Sequence, residues 1–125
     1  MRRMKRILML CCAAFTTTTA AQDYPARPVR VLVGLGAGGG SDTVARIMTT
    51  KLTDMLGQSF VVDNRPGAGG VVACEIVAKA APDGYTLLAM SPTHVVTPNL
   101  RPNVGYDAIR DFSPIALTVY TPYVL

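Results

Sequence analysis

The sequence has few of the residues that form disulfides and metal sites. It contains no tryptophan, one histidine (His94) and three cysteines, of which Cys11 and Cys12 lie close to the N-terminus. Cys74 is the single cysteine in the rest of the chain, which excludes an internal disulfide there. One cysteine and one histidine cannot form a tetrahedral structural zinc site. We expect no metal and no cofactor.

The excess of positive charge is confined to the first residues. Four of the twelve basic residues stand in "MRRMKR", and all eight acidic residues lie further along, so the rest of the chain carries equal numbers of both signs. A neutral chain lacks the basic surface that binds nucleic acid. We therefore expect no nucleic-acid partner.

The basic start is followed by the apolar run "ILMLCCAAF" and the small residues "TTTTAAQ". This order predicts a secretory signal peptide over residues 1–21, cleaved near Ala21. The apolar run is too short to cross a bilayer as a helix, and no later segment reaches about 18 apolar residues. The protein is therefore expected to be exported and not itself membrane-spanning.

The remainder alternates between strand and helix patterns. "VRVLV" (29–33), "SFVVD" (59–63) and "YTLLAM" (85–90) predict three strands, and "VVACEIVAKAA" (71–81) predicts a helix. The β-α-β-α-β order indicates an α/β fold with a parallel sheet. "SPTHVVTPNL" (91–100) predicts a loop with at most a helical turn, and "DFSPIALTVY" (111–120) is expected to lead into a fourth strand.

A long helix is predicted between the first two strands. Ser41 or Asp42 is expected to cap its start, and Gly57 to end it in the left-handed conformation. Apolar residues recur at helical spacing and predict one buried stripe, made of Val44, Ile47, Met48, Leu52, Met55 and Leu56.

The loop "GLGAGGGSD" (34–42) joins the first strand to this helix and matches G-x-G-x-x-G through Gly34, Gly36 and Gly39. With Asp63 near the end of the second strand, the match is typical of dinucleotide-binding proteins, in which the acid binds the ribose. A nicotinamide-dependent oxidoreductase is therefore one candidate function, kept below as the oxidoreductase alternative. Export argues against it, because these cofactors are kept in the cytoplasm.

A second glycine turn, "NRPGAGG" (64–70), occupies the same place in the next β-α unit. Both turns are expected at one edge of the sheet, where helix N-termini present main-chain N–H groups to an anion. A simpler interpretation is that the glycines serve only tight turns and helix packing. Ser41 lacks the G-x-S-x-G context, and no phosphate-binding lysine motif is present. We therefore predict that the protein is not an enzyme.

Several segments resemble the extracytoplasmic solute-binding proteins of tripartite tricarboxylate transporters, the Bug family. They are "YPARPVRVLVGLGAGGGSDTVAR", "VVDNRPGAGG", "AKAAPDGYTLLAMSPTHVVTPNL" and "YDAIRDFSPIAL". The resemblance implies a periplasmic-binding-protein fold of two α/β lobes, a small carboxylate ligand and a membrane permease as partner. It assigns ligand binding to three segments, with an ordinary loop as the other interpretation of His94. The residues are Ala37, Gly38, Gly39, Ser41 and Asp42, then Gly67, Ala68, Gly69 and Gly70, and finally Thr93 and His94.

Family members are longer than this chain. By the resemblance, residues 22–118 form the N-terminal portion of the first lobe, and residues 119–125 begin the crossover toward a second lobe that this sequence does not contain. We expect the chain to bind its ligand weakly on its own, because one lobe covers only one side of the acid.

Overall fold

The computed structural model describes residues 23–101 and 103–120. The predicted signal peptide and residues 121–125 lie outside this range. The elements in chain order are strand β1 (Val29–Val33), helix α1 (Gly40–Leu56), strand β2 (Phe60–Asn64), a 3-10 turn (Ala68–Gly70), helix α2 (Val71–Ala78), strand β3 (Thr86–Ala89) and helix α3 (Thr93–Leu100). The three strands form a parallel sheet in the order β2-β1-β3. The predicted α/β class and β-α-β-α-β order are confirmed.

Strand β1 lies at the centre of the sheet. Its apolar residues are covered on both faces, as is usual for a central parallel strand, and Val29, Leu32 and Val33 are fully buried. Val31 is paired with Val62 on one side and with Leu87 on the other.

The two longer connections pack on opposite faces of the sheet. Leu52 of α1 packs with Val29, Val31 and Phe60, and Leu87 joins that cluster. The next residue of β3, Leu88, packs instead with Val71 and Cys74 of α2 and with Tyr106. Successive residues of a strand face opposite sides, so α1 and α2 enclose the sheet from either side.

Helix α1 begins at Gly40, two residues earlier than Ser41 as its cap would predict. Gly39 is its N-cap, with φ −75° and ψ 168°, and no side chain caps the first turn. The predicted capping by Ser41 or Asp42 is therefore wrong, because both residues already lie inside the helix. Gly57 ends the helix with φ +70° and donates its N–H to the carbonyl of Thr53, as predicted.

The predicted apolar stripe of α1 is only partly correct. Ile47 and Met55 are 62% and 78% exposed, and Leu56 is also exposed, whereas the buried residues are Asp42, Ala45 and Thr49. Thr49 can be buried because its hydroxyl donates to the carbonyl of Arg46 at 3.1 Å. A threonine satisfied by its own helix then behaves as a small core residue.

The segment that follows β3 departs from two predictions. Residues 93–100 form helix α3, with Pro98 inside it, in place of the predicted loop. Residues 111–120 contain no strand, so the predicted fourth strand is wrong over this range. Ile115, Leu117 and Tyr120 are exposed. A strand requires a neighbour for its hydrogen bonds, and this segment has none among residues 23–101 and 103–120.

The residues before β1 are held against the turn before β3. The Tyr24 hydroxyl donates to the carbonyl of Gly84 at 2.7 Å, and the Ala26 N–H donates to the Tyr85 hydroxyl at 2.9 Å. Arg27 pairs with Asp83 at 2.8 Å, and its guanidinium lies 4.3 Å from the centre of the Tyr85 ring. This lead-in therefore belongs to the folded unit.

Candidate ligand-binding site

Three connections meet at the carboxyl edge of the sheet. The first glycine loop (residues 34–39) follows β1, the second (residues 65–70) follows β2, and residues 90–92 follow β3. Because the strands are parallel, all three leave the same edge, where ligands bind in open α/β sheets. Each connection leads directly into the N-terminus of a helix, so this edge also carries the positive ends of three helix dipoles.

The two glycine loops touch each other. A Cβ built on Gly34 would lie 2.8 Å from the Cα of Gly70, which no side chain could accept. Gly70 has φ +98°, a conformation that favours glycine. The close approach and the turn therefore both require glycine, and together they set the distance between the N-termini of α1 and α2.

The first loop exposes main chain at its glycines, and Leu35 is its one large exposed side chain. Ala37 and Gly38 are exposed, and Ser41 is half-buried in the first turn of α1. The first hydrogen bond of the helix joins the N–H of Thr43 to the carbonyl of Gly39 at 2.9 Å. The preceding N–H groups, from position 40 to 42, have no acceptor within the helix and are available to an anion.

Asp42 lies beneath this loop and is only 2% exposed. One carboxylate oxygen accepts the N–H of Gly38 at 2.8 Å and the Nε–H of Arg46 at 2.9 Å, and the other accepts the amide of Asn64 at 2.9 Å. The hydrogen bonds from Arg46, Gly38 and Asn64 hold the pKa of Asp42 well below its usual range. The structure therefore places Asp42 near the site without a free oxygen for a ligand.

Residues 67–69 of the second loop also expose their main chain. Gly67, Ala68 and Gly69 are exposed, whereas Gly70 is buried against the first loop. Ala68 has φ +49°, an uncommon value for a residue with a side chain. The 3-10 turn brings these residues to the N-terminus of α2.

The third predicted segment divides into two different environments. Thr93 is exposed beside Gly70, and its hydroxyl lies 2.6 Å from that of Ser91. His94, the next residue, is 3% exposed. The structure thus brings Thr93 to the edge that carries the glycine loops and turns His94 into the core.

His94 has polar partners on both sides of its ring. Nδ1 lies 3.4 Å from the sulfur of Cys74, and Nε2 lies 3.2 Å from the carbonyl of Ala108. The ring stacks on Tyr106 and meets the edge of Phe112. Burial raises the pKa of the Cys74 thiol and raises that of Tyr106 to about 12. These contacts indicate a core histidine that joins α2, α3 and the segment after α3.

Asp63, which the oxidoreductase alternative would use for a ribose, is already paired. Its carboxylate accepts the Nε–H of Arg30 at 2.7 Å and that of Arg65 at 2.9 Å. The hydrogen bond from Arg30 is the main reason that the pKa of Asp63 is lowered. A ribose would have to compete with two guanidinium groups for this acid.

Comparison with known proteins identifies the family. The profile of the tripartite tricarboxylate transporter family receptor matches residues 44–125. A UPF0065 protein of Bordetella bronchiseptica is 45% identical over 106 residues, which are 84% of this chain and 32% of that protein. The chain belongs to the tripartite tricarboxylate transporter receptor family.

Solved structures agree with this assignment. The periplasmic binding protein BugD superposes with a TM-score of 0.70 at 42% identity, over 74% of this chain and 31% of that one. MatC from Rhodopseudomonas palustris, with bound malate, gives 0.69 at 41% identity, over 76% of this chain and 33% of that one. The chain thus spans about a third of the length of the family members that it matches.

The family assignment confirms the predicted resemblance and the periplasmic-binding-protein type of lobe. Membership in a family of receptors also agrees with the prediction that the protein is not an enzyme and removes the support for the oxidoreductase alternative. In the part of the chain that the structure describes, no helix has the length and hydropathy needed to cross a bilayer.

The sequence did not predict two members of this site. Arg46 and Asn64 contact Asp42 from the second turn of α1 and from the end of β2. The i,i+4 spacing of Asp42 and Arg46 is a signal that could have indicated their pairing. No local pattern indicates Asn64, which lies 22 residues from Asp42.

Proposed function

We propose that this chain forms the carboxylate-binding part of a periplasmic receptor, which captures a small organic acid and delivers it to a membrane permease. The observation that carries the proposal is the contact between Gly34 and Gly70. This contact brings two glycine loops, and the N-termini of α1 and α2 behind them, to one edge of the sheet. The malate bound to MatC supports a dicarboxylate as the ligand class.

Main-chain N–H groups are the proposed ligand contacts. In the first loop they belong to Ala37 and residues 40–42, and in the second to residues 67–69. The N–H groups of Gly38, Gly39 and Gly70 already donate within the protein. Helix N-termini bind anions through such groups, and glycine lets the ligand approach without a Cβ in the way. We assign the hydroxyl of Thr93 as a side-chain contact, because it is exposed beside Gly70.

Two residues of the predicted site receive other roles. Asp42 is buried with both carboxylate oxygens occupied, so we assign its main-chain N–H and not its side chain to the ligand. His94 is buried between Cys74 and Ala108, and we assign it a structural role, in which it holds α3 against α2 and the segment after α3.

Isothermal calorimetry on a chimaera tests the proposal. Residues 23–120 of this chain would replace the matching part of MatC, so that the second lobe is supplied. We expect malate to bind and NAD not to bind, because Asp63 is already paired with Arg30 and Arg65. NAD binding that is lost in an Asp63→Ala variant would instead support the oxidoreductase alternative, and the absence of malate binding would contradict the proposal.

A nuclear magnetic resonance titration locates the ligand on the chain by itself. We expect malate to shift the amide signals of residues 38–42 and 67–70, with an affinity weaker than about millimolar, because water reaches the open side of the acid. Sodium chloride at equal ionic strength is the control. Equal shifts with both solutes would show that the loops bind no carboxylate specifically.

A further inference from the structure

We propose that Asp42, Arg46 and Asn64 are positioning residues that hold the first glycine loop in the shape that binds the anion. The inference rests on the proposed carboxylate site. It starts from the burial of Asp42, which is 2% exposed although it directly follows the exposed loop. A carboxylate is seldom buried unless its oxygens are paired, and here both oxygens accept hydrogen bonds.

The three residues hold the loop at two points. Asp42 accepts the N–H of Gly38 at 2.8 Å, near the end of the loop. Asn64 donates through the same side-chain nitrogen to Asp42 at 2.9 Å and to the carbonyl of Leu35 at 3.1 Å, near its start. The exposed residues between these points are thereby fixed to the end of β2, from which the second glycine loop begins.

Arg46 completes the group and balances its charge. Its Nε–H donates to Asp42 at 2.9 Å, and its Nη2 donates to the side-chain oxygen of Asn64 at 3.1 Å. Asp42 would otherwise place a negative charge beside the helix N-terminus that is proposed to receive the ligand. With Arg46 in contact, the pair is neutral and the anion meets no uncompensated carboxylate.

Main-chain binding requires this kind of support. A loop without side-chain contacts to its ligand depends on its own conformation for affinity, and a loop that has to be ordered on binding loses part of that affinity. Gly38 has φ +83° and no side chain to hold it in place. Its hydrogen bond to Asp42 fixes its orientation.

An Asp42→Asn variant of the chimaera tests the proposal, with Asp63→Asn as the matched control. Each change removes one carboxylate that is paired with arginine. Asp63, however, contacts Arg30 and, at the start of the second loop, Arg65, and it makes no hydrogen bond to the first loop. We expect Asp42→Asn to weaken malate binding about tenfold or more, since it loses charged hydrogen bonds, and Asp63→Asn to change it by less than about twofold. Melting temperatures without ligand measure the loss of stability in each variant.

An Asn64→Leu variant tests the other anchor of the loop without changing the charge of the group. It removes the amide that donates to Asp42 and to the carbonyl of Leu35. We expect malate binding to weaken about tenfold, because both hydrogen bonds are lost. Unchanged affinity in Asn64→Leu, or equal losses of affinity in the Asp42 and Asp63 variants, would overturn the positioning role.

Hydrogen exchange of the ligand-free chimaera separates this inference from the proposed function. We expect the amides of residues 35–40 to exchange faster in Asp42→Asn and to be unchanged in Asp63→Asn. Unchanged exchange in both would overturn the inference even if malate binds to the unmodified chimaera. If Asp42→Asn does not fold, malate affinity and amide exchange are measured in Arg46→Gln instead. The Arg46 side chain is half-exposed, so its replacement should disturb the fold less.

Discussion

A Cβ on Gly34 would stand 2.8 Å from the Cα of Gly70, so the two glycine loops touch through their main chains. The nearest atom is backbone and cannot rotate away, unlike the end of a flexible side chain. The separation of the two helix N-termini therefore depends on the absence of a side chain at Gly34.

A Gly34→Ala substitution is the first test of this contact. We expect it to lower the free energy of unfolding by about 1–3 kcal/mol, because an added methyl group forces the loops apart. Gly36→Ala is the control in the same loop, since a Cβ there meets nothing within 4 Å. We expect the control to change stability by less than about 0.5 kcal/mol. Urea denaturation measures the stability of both variants. Equal unfolding midpoints for Gly34→Ala and Gly36→Ala would contradict the close contact at Gly34.

Acid is expected to destabilise the fold through Asp42 and Asp63. Arg46 and Arg30 respectively lower the pKa values of these two carboxyls in the folded state. An aspartate whose pKa is lowered by folding contributes stability above its unfolded pKa of about 3.9, and this contribution is lost as the pH falls toward the lowered value. Melting temperatures should therefore decrease below about pH 5.

The Asp42→Asn variant should show a weaker dependence of melting temperature on pH between about 5 and 3. Asp54→Asn is the control, because Asp54 is exposed on the same helix and makes no ion pair within the described part of the chain. If the melting temperatures of the unmodified protein, Asp42→Asn and Asp54→Asn depend on pH identically, the Asp42 carboxylate contributes nothing to stability in acid.

Thr93 and His94 are adjacent, but we expect substitutions at them to affect different properties, ligand binding for Thr93 and stability for His94. His94→Gln should lower the free energy of unfolding by about 1–3 kcal/mol, because the ring contacts with Tyr106 and Phe112 are lost. Thr93→Val should leave stability within about 0.5 kcal/mol and weaken malate binding in the chimaera. Thermal unfolding and calorimetry measure the two effects. Weaker malate binding by a stably folded His94→Gln protein would show that the His94 side chain contributes to ligand binding.

Export is expected to remove the basic leader. A product expressed in a Gram-negative host should be recovered from the periplasm with Gln22 at or near its N-terminus, because residues 1–21 have the order of a signal peptide. Intact-mass measurement of the periplasmic fraction tests this expectation. A cytoplasmic product that retains Met1 would contradict it.

The element order could be predicted from sequence because each signal is local. The valine-rich β1 and the Gly57 end of α1 follow from side-chain shape and from the backbone freedom of one glycine. The first loop was placed correctly for the same reason, since a glycine run between a strand and a helix admits few other structures.

The errors occurred where distant residues decide the outcome. Asp42 is predicted as a possible cap of α1, but it lies inside the helix, where Arg46 and Asn64, 22 residues away, bind its carboxylate. The resemblance assigns His94 to the ligand, with an ordinary loop as the other interpretation, and neither indicates the contacts of its ring with Cys74 and Ala108. Helical spacing also favoured Ile47 and Met55 over Thr49, because spacing does not report that a threonine hydroxyl is satisfied within its own helix.

The hydrogen bonds of the lead-in constrain the order in which the chain folds. Tyr24 is held by Gly84, a residue 60 positions later, and β1 lies between two strands that both follow it in the chain. Residues 24–27 therefore cannot dock until the turn before β3 has been synthesised. The segment that follows the predicted cleavage site would be among the last parts of this unit to fold.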